Sequence, residues 1–166
     1  SLMADQIRRA EAAGLHAAVL RGGQSSKERD ILWDAAVAGS LQLLLTNPEM
    51  LAREPVLDRL TNCRVAHLVI DEAHCVSEWG ETFRPSYLEL GRVITVLAPH
   101  VTTAFTATAS PVVLDAIRTH LFGEDGAHLI QSLPDRPNIS YSVLETEAKL
   151  HALKRLLGDG RVGSRD

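Results

Sequence analysis

The sequence predicts an α/β fold, a parallel sheet flanked by helices, and three observations carry that expectation. Short aliphatic runs at 41–45, 66–70 and 101–105 have the unbroken apolar character of strands buried on both faces, although periodicity alone leaves a short buried helix open for the first. Helical patterns separate these runs, so strand and helix alternate along the chain. The composition, 45% hydrophobic and 23% charged over 166 residues, suits one domain that buries a real core.

Taken in order, residues 1–13 form an amphipathic helix with Gly14 as its stop. A short strand at 16–20 runs into Arg21-Gly22-Gly23. Ser25 with Glu28 has the spacing of a capping box, opening a helix that Gly39 ends. Short helices at 48–52 and 55–60 separate the strands at 41–45 and 66–70. Ser86 with Glu89 repeats the capping-box spacing ahead of a helix carrying Leu90, Ile94 and Leu97. After the strand at 101–105, Ser110 as N-cap and Pro111 as first helical residue start a helix bearing Val113, Ile117 and Leu121, stopped by Gly123. The turn-rich stretch 124–136 reads as a boundary between a first domain, 1–133, and a second segment, 134–166. In the latter, 138–144 alternates as a half-buried strand, 145–157 is helical in pattern, and the tail from Gly158 has too few apolar residues to pack.

Several function classes are disfavoured at once. No apolar run approaches the roughly 20 residues that span a bilayer, and no signal peptide precedes the first helix, which points to a cytoplasmic protein without a membrane partner. Cys63 and Cys75 form neither a disulfide framework nor a Cys-x-x-Cys zinc spacing, so both are expected as reduced thiols. A formal net charge of −4 lacks the basic footprint of a protein held on nucleic acid by phosphates alone.

The chemistry concentrates between Val69 and Tyr87. An apolar strand there ends in Asp71-Glu72, followed by Ala73-His74 and then by Trp79, Phe83 and Arg84. Adjacent carboxylates at the C-terminal end of a parallel strand sit where such sheets bind ligands. One can hold a hard cation, often through water, while the second orients and deprotonates an attacking water. A plain strand-end turn with solvated acids is the alternative. Aromatic faces and a guanidinium can stack on bases of any sequence, and ordinary core packing is the other reading of Trp79 and Phe83.

Asp71-Glu72-Ala73-His74, continued as Cys75-Val76-Ser77-x-Trp79-Gly80-x-x-Phe83-Arg84-Pro85-x-Tyr87, resembles the RecQ-type DNA helicases of superfamily two, which join a DEAH box to an aromatic-rich loop. The resemblance implies a RecA-like, P-loop NTPase-type motor domain with ATP and Mg²⁺ as cofactors. Single-stranded and duplex DNA would be its partners, in a motor unwinding 3′ to 5′ in recombination and repair. It further implies that Asp71 helps hold Mg²⁺, that Glu72 activates water, and that His74 links the nucleotide site to DNA-responsive parts. Trp79, Phe83 and Arg84 would sense single-stranded DNA.

Ser1-Leu2-Met3-x-Asp5-Gln6 resembles the family's motif Ia beside the DNA path, which marks Asp5 and Gln6, with a plain helix start as the alternative. Thr106-Ala107-Thr108 resembles motif III, which couples hydrolysis to strand separation, with a polar strand end as the alternative. Asn47-Pro48-Glu49 stands where relatives often have Thr-Pro-Glu. Asn47 departs from that pattern but can still bond a phosphate or cap a helix. Asp135-Arg136-Pro137-Asn138 resembles the entry to the second motor domain.

Glu78, Glu81 and Thr82 depart from the Gln, His and Asp of many relatives, and two added carboxylates weaken phosphate contact. No Gly-x-x-x-x-Gly-Lys-Ser/Thr loop occurs in the sequence, although such a loop cradles the β- and γ-phosphates. The expectation is therefore a partial motor, missing the P-loop and most of the second motor domain, and inactive by itself. A degenerate helicase domain serving as a DNA or protein adaptor is the competing reading.

Overall fold

The structure, a computed structural model, describes residues 2–77, 84–107, 110–123, 126–131, 138–143 and 145–158. They fall into two compact units, Ser1–His128 and Leu129–Asp166. In the first unit, helix α1 (Leu2–Ala12) leads to strand β1 (Ala17–Val19), α2 (Ser26–Val37), β2 (Leu43–Leu45), α3 (Pro48–Leu51) and α4 (Glu54–Thr61). Strand β3 (His67–Ile70) runs into a 3₁₀ turn, Ala73–Val76. Then come α5 (Pro85–Leu88), α6 (Leu90–Leu97), β4 (Val101–Ala104) and α7 (Pro111–Ile117), which continues as a π-helical turn, Arg118–Phe122.

The order is α/β and both strand pairings are parallel, as the sequence pattern requires. β1 pairs with β2, and β3 pairs with β4 in the register His67↔Val101 to Ile70↔Ala104. Among the described residues these are two two-stranded sheets, and the outer edge of β4 has no ladder partner.

The expectation of strands buried on both faces is corrected. Ile70 is buried on one side of the β3–β4 sheet, whereas Val69 and Val101 on the other are each 52% exposed. Their side chains alternate across a sheet that the described residues cover on one face only. The core lies beneath that covered face, where Leu20, Leu57, Val76 and Val93 are almost wholly removed from water.

Local chemistry accounts for most helix ends. Ser25 and Glu28 form the reciprocal capping box, with Ser25 Oγ accepting from the Glu28 amide and the Glu28 carboxylate accepting from the Ser25 amide. The Ser25 hydroxyl, donating to Glu28 Oε2 at 2.7 Å, and the Ser25 amide hold the Glu28 carboxyl below the usual glutamate range. At the other end of α2, Gly39 at φ +72° donates to the Ala36 carbonyl while Ser40 donates to that of Ala35, the paired bonds of a Schellman stop. Ser110 and Pro111 start α7 as the sequence indicates.

The Ser86–Glu89 capping box does not form. Helix starts at Pro85 instead, Glu89 makes no side-chain cap to α6, and the Ser86 hydroxyl donates to Glu49 Oε1 at 3.0 Å. A tertiary acceptor has taken the group that the local spacing assigned to the backbone.

Gly91 is required by close packing. A Cβ there would lie 2.3 Å from the backbone carbonyl oxygen of His120 in the π-helical turn. Gly91→Ala is expected to destabilise the fold by about 1–3 kcal/mol, outweighing the helix-propensity gain of about 1 kcal/mol. A lowered thermal midpoint in calorimetry checks this.

In the second unit, α8 (Lys149–Gly158) is the regular element among the described residues. The strand expected at 138–144 is corrected over its described part, 138–143, which has no ladder; Tyr141 is 86% and Val143 93% exposed. Alternation identifies a strand only where a neighbour supplies hydrogen bonds. The helix starts later than the pattern from 145 suggests, because Thr146 Oγ1 accepts the Ala148 amide in a competing local turn. No helix of the described residues is long and apolar enough to cross a membrane.

Candidate active site

The parallel ladder brings the end of β3 beside the end of β4. The Phe105 amide donates to the Ile70 carbonyl at 2.8 Å, and the Ala73 amide donates back to the Phe105 carbonyl at 2.9 Å. Between these two bonds the chain turns through Asp71 and Glu72. Glu72 has φ +52° and ψ +41°, the left-handed region that costs a side-chain-bearing residue about 1–2 kcal/mol. Asp71 Oδ1 accepts the Glu72 amide at 2.8 Å, and the Glu72 carbonyl accepts the Cys75 amide at 3.0 Å. These contacts hold the turn against its strain. Below it, Ala73, Cys75 and Val76 are buried, so the 3₁₀ turn is rooted in the core while the carboxylates face outward.

His74 Nδ1 lies 3.2 Å from Glu72 Oε2 and 3.3 Å from Thr106 Oγ1. A proton on Nδ1, the tautomer these acceptors favour, ties the carboxylate through the imidazole to the residue two beyond β4. The Glu72 side chain is 58% exposed and that of His74 only 21%, so the acid can meet a solvent molecule while the histidine is held by its surroundings. Tyr87, buried on α5, donates its hydroxyl to the Asp71 carbonyl at 3.2 Å. Burial pushes its phenol above the usual tyrosine range, with smaller effects from nearby charges, so the group is a donor at neutral pH.

The sequence-derived residues separate into three sets. Asp71, Glu72, His74 and Thr106 converge at the β3–β4 edge, while Arg84, exposed, donates its amide to the Cys75 carbonyl beside them. Asn47 sits past the end of β2, where its Oδ1 caps α3 by accepting the Met50 amide at 3.0 Å. Asp5, on α1, accepts from Arg8 at 2.9 Å and Arg9 at 3.1 Å, and Gln6 is exposed on the same helix. Trp79, Phe83 and Thr108, together with Glu78, Glu81 and Thr82, lie outside the described residues. A groove of about 740 Å³ bordered by Ile7, Ala18 and Leu32 includes none of the acidic-turn residues.

Among the described residues no three His, Cys, Asp or Glu side chains gather as a metal cage. Asp71 keeps one oxygen clear of its bond to the Glu72 amide, and it is exposed. One such carboxylate fits Mg²⁺, which is commonly held by one or two carboxylates with waters and substrate phosphates.

Tyr87, Ser86 and Glu49 all lie in patterned stretches of the sequence, but no residue pattern pairs them with one another or with the acidic turn. Tyr87 was visible within the aromatic stretch, but nothing local pairs it with Asp71. The Ser86–Glu49 contact spans 37 positions.

Comparison with known proteins identifies the family. The DEAD/DEAH box helicase family matches residues 1–117. The chain is 33% identical over 157 residues to the ATP-dependent DNA helicase RecQ of Pasteurella multocida, covering 95% of this chain and 25% of that protein. It is 35% identical over 152 residues to the RecQ of Bacillus subtilis, covering 90% and 25%, and 39% identical over 106 residues to ATP-dependent DNA helicase Q5 of Mus musculus, covering 61% and 11%. The chain thus spans about a quarter of the length of the bacterial relatives it matches. With an acidic box at the end of a parallel strand and a family match across residues 1–117, the chain belongs to the DEAD/DEAH box helicases, as a RecQ-type member.

Proposed function

We propose that these residues form the hydrolytic part of a motor that couples ATP hydrolysis to 3′-to-5′ unwinding of duplex DNA, serving recombination and repair in the cytoplasm. The observation that carries the reading is the strained Glu72 turn, whose carboxylate is tied through His74 to Thr106. Glu72 orients a water and accepts its proton as the water attacks the terminal phosphate of ATP. Its left-handed backbone directs the carboxylate, and His74 holds the rotamer. Asp71 would hold Mg²⁺, which would offset charge on the phosphate oxygens. Thr106, two residues beyond β4, senses the state of Glu72 through the imidazole, with Thr108 its neighbour in the same coupling segment.

DNA contact is assigned to Asp5, Gln6, Asn47, Trp79, Phe83 and Arg84. Residues 1–133 belong to the first RecA-like domain and 134–166 to the start of a second. The phosphate-cradling loop is supplied by sequence other than these residues, in keeping with their coverage of a quarter of the RecQ proteins.

Strand displacement by the full-length protein tests the reading. ATP-dependent release of a strand from a duplex with a 3′ single-stranded tail, and none from a 5′-tailed duplex, is the expected result. Tight DNA binding without ATP-dependent release would replace the motor with an adaptor.

A further inference from the structure

Helix α5 has two adjacent hydroxyls that leave in different directions. Tyr87 donates to the Asp71 carbonyl at 3.2 Å, and Ser86 donates to Glu49 Oε1 at 3.0 Å. Consecutive residues on a helix point about 100° apart, so a single turn can touch two neighbours at once.

One neighbour is the acidic turn. Ile70 is the last residue of β3, and the Asp71 carbonyl is held by Tyr87 as the chain leaves the ladder for the left-handed Glu72. The other neighbour is α3, whose Glu49 lies two residues after the Asn47 cap. Helix α5 is itself fixed: Pro85 begins it, the Arg84 amide donates to the Cys75 carbonyl at 3.3 Å, and the Tyr87 ring is packed in the core. A rigid element bonded on both sides transmits a displacement that a flexible loop would absorb.

We propose that Tyr87 is a positioning residue for the Asp71–Glu72 turn, and that the hydrogen bonds Glu49–Ser86 and Tyr87–Asp71 carry the DNA signal from the Asn47 turn to the hydrolytic carboxylate. The inference rests on the functional reading above, in which Asn47 meets DNA and Glu72 activates water. Tyr87 touches no substrate; it acts through the backbone that aims Glu72. Its ring is held by packing and its hydroxyl meets Asp71 at the entrance to the strained turn, so removing the hydroxyl leaves the ring in place and takes away one of the bonds that aim the turn. Ser86 adds the second tie: without its hydroxyl, α3 and α5 remain neighbours but lose the bond between them.

The test uses full-length enzyme and compares wild type with Tyr87→Phe and Ser86→Ala. The readout is the ratio of ATP turnover with saturating single-stranded DNA to turnover without it. That ratio does not depend on the fraction of correctly folded enzyme, so a merely structural loss leaves it unchanged. Tyr87→Phe is expected to lower the DNA-saturated kcat and the ratio by about 3- to 10-fold, the range for one lost hydrogen bond, with KM for ATP little changed. Ser86→Ala is expected to keep the DNA-independent rate and lower the ratio by about 3-fold. A wild-type ratio in either variant overturns the proposal while leaving the functional reading intact. Wild-type protein without DNA-stimulated turnover overturns both.

Discussion

Glu72→Gln in the full-length protein is expected to lower DNA-stimulated ATP turnover by about 10²–10⁴-fold, the contribution of a positioned general base. The substitution preserves shape and leaves an oxygen near His74 Nδ1, so the 3.2 Å contact has a substitute acceptor, and the 3.3 Å contact between His74 and Thr106 does not involve the replaced group. What it removes is the group that takes the proton. Because Glu72 is more than half exposed, its replacement leaves no buried group unpaired, and the unfolding free energy should remain within about 0.5 kcal/mol of wild type. DNA affinity should also persist. Steady-state hydrolysis, DNA binding and a thermal melt measured together distinguish loss of chemistry from loss of fold.

Leu57→Ala should have the largest effect on stability, about 2–5 kcal/mol. Leu57 lies on α4 with 1% of its surface exposed, in a core cluster with Met50, Leu60, Leu90 and Val93. Removing three carbons there loses transfer free energy and leaves a cavity between helices that already pack against one another. Against a total of about 5–15 kcal/mol for a typical domain, that loss is a large fraction. Val112→Ala, at a residue 54% exposed, is the matched control and should shift stability by less than about 0.5 kcal/mol. Chemical or thermal denaturation of the two variants side by side checks the difference.

How far the sequence was legible follows the range of the interactions. The aliphatic strand before Asp71, the helix caps at Ser25 and Ser110, and the stop at Gly39 depend on groups within a few residues, and the structure contains them all. Ser86 misled because its competing partner, Glu49, is distant in sequence. The alternation at 138–143 described side chains correctly as half polar, yet a strand needs a neighbour that local pattern cannot supply.

The acidic box was legible as paired carboxylates with a histidine. Its strain at Glu72, its bridge to Thr106 and its tie to Tyr87 emerge only when β3, β4 and α5 meet. An unbroken aliphatic run suggests burial on both faces, but composition cannot say which face neighbouring helices cover, and Val69 and Val101 lie on the open one.

The most direct test of the central claim is the rate of ATP hydrolysis by the full-length protein as single-stranded DNA is titrated in, for wild type and Glu72→Gln. Saturable stimulation in the wild type, absent from the variant, is the predicted result. Hydrolysis indifferent to DNA, or equally stimulated without the Glu72 carboxylate, would contradict it.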